Sequence, residues 1–110
     1  MSSLKVSRAF LDGPVANIIN QATKVATSMN GNENFPIPPI SPGGLQSVVN
    51  DLKLMETKAK DNKQQHIINR DVALADVQDF LLQNATYVEN ASKNDLVILL
   101  SSGFEAQQKP

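Results

Sequence analysis

Residues 64–91 read QQHIINRDVALADVQDFLLQNATYVENA, a run with neither proline nor glycine. Ile67, Leu74, Leu81 and Val88 recur every seventh position. Val77, Asn84, Ala85 and Ala91 fill the alternate turns, and Ala73, Phe80 and Tyr87 widen the stripe. That spacing predicts one long amphipathic helix. At about 1.5 Å per residue it reaches roughly 40 Å, more than a small domain needs, so shorter helices must share its apolar face.

Immediately upstream, Ser41-Pro42 joins a capping hydroxyl to a proline at a first helical turn. The stripe Leu45, Val48, Val49, Leu52, Met55 and Ala59 then predicts a helix over 42–61. Its end carries no glycine or proline, so the turn into the long helix falls somewhere in Lys60-Asp61-Asn62-Lys63. Further back, Asp12-Gly13-Pro14 reads as a start and Asn30-Gly31 as a stop. Between them Val15, Ile18, Ile19, Ala22, Val25, Ala26 and Met29 predict a helix over 14–30. Four prolines among residues 36–42 hold the intervening connection extended. There Phe35, Ile37 and Ile40 either tuck over the end of the helices or present a proline-rich ligand to a partner.

Downstream, Asn94 or Asp95 can cap a short helix over 96–102, closed by Gly103. Leu96-Val97-Ile98-Leu99-Leu100 has no polar face, which predicts burial on more than one side, either inside the bundle or partly against a second copy. Residues 1–13 form an N-terminal arm with Leu4, Val6, Phe10 and Leu11 as anchors, and 105–110 a flexible tail. The expected fold is therefore all-α: an antiparallel bundle of three main helices plus a short fourth, spanning 14–104, with a Pro-rich connection between the first two. Ile18, Val25, Leu45, Leu52, Leu74, Leu81, Val88 and Leu99 are its expected core.

One hundred and ten residues, 41% hydrophobic and 19% charged, suffice for one domain with a real core. Ten basic against eleven acidic residues provide no field to gather nucleic acid or anionic lipid. There is no cysteine, no run of apolar residues long enough to span a bilayer, and no signal peptide, so the expected location is the cytoplasm, or a particle that carries the protein out.

Catalytic and metal motifs are scarce. A two-metal bundle site needs Glu-x-x-His pairs, but His66 is the sole histidine and Lys63 stands three before it. Ser101-Ser102-Gly103 is the nearest approach to a nucleophile turn, and backbone capping explains it better. Asp71, Asp76 and Asp79 read as a solvated face, and Arg70 as a side chain whose stem lies on the core. Asn84-Ala85-Thr86 and Asn90-Ala91-Ser92 match the glycosylation tripeptide by accident of a helical sequence.

Asn30-Gly31-Asn32, Phe35-Pro36, Pro39, Tyr87-Val88 and Ile98-Leu99-Leu100-Ser101-Ser102-Gly103-Phe104 together resemble the helical domain of small bacterial proteins that often carry a fibronectin type III domain behind it. The resemblance spans roughly Val15 to Phe104. It implies a four-helix unit of no established activity, without catalytic residues; the 110 residues have no room for the β-sandwich.

The function expected is a non-enzymatic structural or protein-interaction module that self-associates or docks in a larger assembly. Leu96, Val97 and Leu100 are its candidate self-association residues. No catalytic, cofactor or metal residue is assigned, and neither nucleic acid nor membrane is an expected partner. The alternative is a carrier of small hydrophobic ligands, with a cavity lined by Met29, Met55, Phe80 and Tyr87.

Overall fold

The computed structural model describes residues 4–107; the outermost three residues of the expected arm and of the expected tail lie outside them. Four helices follow in order: α1 (Val15–Met29), α2 (Pro42–Ala59), α3 (Gln64–Ser92) and α4 (Leu96–Leu100). α2 lies antiparallel between α1 and α3, and α1 touches α3 little. The three long helices therefore form a slab, with Cα extents of 49 × 33 × 16 Å.

The helix ends follow local chemistry. Ser41 Oγ accepts from the Gly44 amide at 3.0 Å, and the Asp95 carboxylate accepts from Val97 and Ile98 N–H at 2.9 and 3.3 Å. Asp12 does not cap α1: Pro14 occupies the cap position with no side-chain bond there. The unmarked α2–α3 turn is made by Asn62, whose φ of 61° is left-handed, with Asp61 Oδ1 accepting from Lys63 N–H at 2.8 Å. Asparagine does there what glycine does at Gly31, because its short polar side chain tolerates that region.

Seven of the eight expected core residues are fully buried; Leu74 is only half-buried. Leu74 lies on the same face of α3 as Ala85 and Ser92, which are fully buried further along; what it lacks is cover, because the arm, Phe35 and α4 pack over the later turns of α3. Beside it Ala73 and Val77 are the buried residues.

The arm covers the C-terminal half of α3. Val6 and Phe10 are buried while Leu11 is exposed. Glu89 accepts from Val6 N–H at 2.7 Å and pairs with Arg8 at 2.8 Å, and Gln78 donates to the carbonyls of Phe10 and Leu11. Residues 105–107, expected as tail, are held as well. Ser7 N–H donates to Glu105 O and Gln107 N–H to Lys5 O, both at 2.8 Å, around an antiparallel Val6–Ala106 bridge. The Phe10 and Phe104 rings, 6.0 Å apart, fill the space beneath.

The Pro-rich connection is pinned from α3. Buried Asn84 donates to Ile40 O at 2.9 Å and accepts from Ile40 N–H at 3.0 Å, so one side chain satisfies both backbone groups of that residue. Phe35 is buried against Tyr87, ring centroids 6.1 Å apart. Ile37 does not tuck in: it is 80% exposed, held only through its amide to Tyr87 Oη.

Candidate interaction site

α4 carries the residues singled out from sequence, and its uniform apolarity is not matched by burial on several sides. Leu99 is fully buried and Ile98 partly, while Leu96, Val97 and Leu100 face outward, Val97 at 77% exposure. A five-residue helix has too little perimeter to be enclosed unless something lies above it, and among the described residues nothing covers these three side chains.

The short helix is nonetheless firmly placed. Asp95 fixes its start, and Ser101 Oγ and Ser102 Oγ return to the carbonyls of Ile98 and Leu99. Phe104 N–H donates to Ser102 Oγ, so the two serines cap backbone, as their position suggested. Asn32 Nδ2 reaches Ser101 O at 3.0 Å and ties the helix to the end of α1. Gly103 then passes so close to α1 that an added Cβ would stand 2.8 Å from Lys24 O, and its φ of +88° already favours glycine. The apolar side chains of α4 are thus displayed from a rigid mount.

The remaining charged groups are spent locally. Arg70 bonds Asp71 at 2.8 Å and Glu56 at 2.9 Å. The Asp71 bond, opposed by desolvation and reinforced by Glu56, raises the guanidinium above its ordinary pKa. His66 Nδ1 lies 2.7 Å from Asp61 Oδ2. The Lys63 amide chiefly, then His66 against partial desolvation, holds the Asp61 carboxyl below the usual range. Partial burial pushes Glu89 up, but bonds from Arg8 and Val6 N–H and the charges of Arg8 and Lys5 outweigh it and leave the carboxyl low. Asp71, Asp76 and Asp79 are exposed as expected, and buried Asn84 is inaccessible to glycosylation. Among the described residues no three His, Asp or Glu side chains gather as metal ligands, and no helix is long and apolar enough to cross a membrane.

Two clefts stand out among the described residues. The larger, about 660 Å³, lies between the arm and α1 and is lined by Phe10 and Ile18 with polar groups such as Asp12, Asn17, Gln21 and Lys24. The smaller, about 280 Å³, lies where α1 ends and α2 begins. Met29, Met55, Phe80 and Tyr87 line neither. Met29 is buried and the other three are packed against the core.

One apolar feature had not been singled out from sequence. Ile68 and Val72, one helical turn apart, are 46% and 59% exposed on the face of α3 turned away from its buried stripe. Their i, i+4 spacing on the wrong side of the stripe was the available signal. Comparison of the chain with protein-family models, curated proteins and solved structures finds no match.

Proposed function

We propose that the protein is a non-enzymatic interaction module that self-associates or docks in a larger assembly, using α4 as a contact surface. The observation that carries this reading is the outward display of Leu96, Val97 and Leu100 from a helix anchored at both ends. Large apolar side chains gathered on one surface mark association sites more often than single exposed ones do. The resemblance to a helical domain without catalytic residues is in keeping with this reading. The carrier alternative draws no support from the clefts, whose linings omit the four residues it requires.

Leu100→Glu tests the proposal. Leu100 is half exposed, so the charge leaves the fold intact, and circular dichroism should show unchanged helix content. Light scattering should show a lowered assembly state relative to the parent chain. A parent that is monomeric throughout the micromolar range overturns self-association and leaves only docking to a different protein.

A further inference from the structure

The turn that ends α1 holds the chain's sole Asn-Gly pair, Asn30-Gly31. Both residues are exposed, and nothing stands within 4 Å of where a Gly31 Cβ would be. An asparagine followed by glycine is the pair most prone to cyclise, because no side chain on the second residue shields its amide nitrogen. That nitrogen attacks the asparagine Cγ, the new C–N bond closes a five-membered imide, and ammonia leaves with the amide proton. Water then opens the ring at either carbonyl. The products are aspartate, or isoaspartate, in which the main chain runs through Cβ and gains a methylene.

The fold decides when this can happen. Asn30 has φ −68° and ψ 116°, and Gly31 has φ 71°, the angles of a type II turn that Asn32 N–H closes onto Met29 O at 3.2 Å. In an L-residue that ψ sets the Gly31 nitrogen beside Hα of Asn30, whereas ring closure needs it beside Cβ. The turn must therefore open before the ring can form. Asn32 keeps it shut: besides its amide, its Nδ2 donates to Ser28 O at 3.3 Å, to Ser101 O at 3.0 Å and to Ser101 Oγ at 3.2 Å. The same side chain fastens α4 to α1, so the guard on Asn30 and the mount of α4 are one structure.

We propose that Asn30 is a site of spontaneous modification, converted with water to aspartate and isoaspartate, and that the conversion unfastens α4 from the end of α1. The product carries a new carboxylate at the negative end of the α1 dipole, where it is unfavourable. Its isoaspartate form also lengthens the main chain two residues before Asn32, which draws Nδ2 away from Ser101.

The test is incubation of the folded full chain in mildly alkaline buffer. Ion exchange should separate a product one charge more negative than the parent's −1, and tandem mass spectrometry should place the conversion at Asn30 before any other asparagine. Unfolding in urea should raise the rate at Asn30 at least about tenfold, because turn opening no longer has to precede ring closure. Asn32→Ala, with its fold checked by circular dichroism, should speed the conversion in the folded chain; the urea comparison needs only the parent. In the purified product, amide protection at Ser101, Ser102 and Gly103 should fall while that of Leu81 persists. Asn30→Gln, which would have to close a larger ring, should keep the parent's charge and its α4 protection through the same incubation. Conversion that appears first at another asparagine overturns the site, and a rate at Asn30 that urea leaves unchanged overturns the guard. A product with α4 as protected as in the parent overturns the coupling.

Discussion

The two halves of α3 share one sequence style and have different surroundings. From Val77 to Ser92 the helix is enclosed by α2, the arm, Phe35 and α4, and buries Val77, Leu81, Asn84, Ala85, Val88 and Ser92. From Gln64 to Asp76 it has α2 beside it and buries only Ala73. Ile67 and Leu74, as apolar as Leu81, are merely half-buried. Burial along an amphipathic helix is thus set by how many neighbours reach each turn. The seven-residue stripe names the face, and the connections decide which stretch of that face is covered.

The largest effect expected from this contrast is in the core. Leu81→Ala, at a site with no solvent exposure, should cost about 2–5 kcal/mol in denaturant unfolding. Leu74→Ala, seven residues away, should cost about half as much or less, because its site is open to water and collapses easily. Equal losses would show that the hairpin end is as tightly packed as the rest and would erase the comparison.

Next comes the pin that holds the Pro-rich connection. Asn84→Ala removes both partners of Ile40 at a buried site, so about 1–3 kcal/mol should be lost. Amide exchange sharpens this: protection at Ile40 should fall while that of Leu45 in α2 persists. Uniform loss of protection would mean that the connection and the helices open as one unit.

The smallest effect separates the arm from the hairpin by pH. The Glu89 carboxyl lies below its unfolded value of 4.5, so its contribution is complete above that value and is lost as pH falls through the lower folded one. Thermal melts between about pH 6 and pH 3 should therefore lose stability through this group only at the acid end. Glu89→Gln should remove that part of the slope, by about 1 kcal/mol or less. A variant with the parent's full acid slope would show that Arg8 and Glu89 do not hold the arm.

Most of the architecture was legible because it rests on short-range signals. Ser41-Pro42, Asp95 and Gly103 are where caps and stops were expected, and α2 and α4 begin where their signals stand, whereas α3 begins after an unmarked turn. What escaped depends on partners distant in the chain. Nothing near Asn84 says that it recognises the backbone of Ile40, and nothing near Ala106 says that it pairs with Val6. Leu74 is on the expected face but half-buried, because periodicity names a face and does not say which turns of it other elements cover. Within α4 the division was legible: Leu99, expected in the core, is closed, and Leu96, Val97 and Leu100, the candidate contact residues, are open. The exposed pair Ile68 and Val72 on α3 was not, because it lies off the stripe that the periodicity follows.

The Val6–Ala106 bridge joins positions separated by 100 residues of chain, which gives assembly a time order. The helical hairpins need only neighbours a few tens of residues apart and can form as soon as those neighbours exist, since local contacts cost little loop entropy. The arm precedes every long helix in the chain and has nothing to hold until Glu89, Asn94 and finally Glu105 and Ala106 have been synthesised. Between the completion of α3 and the arrival of Ala106 the flank that the arm covers stands open to other chains. A segment made before the helices is thus among the last to be locked in place.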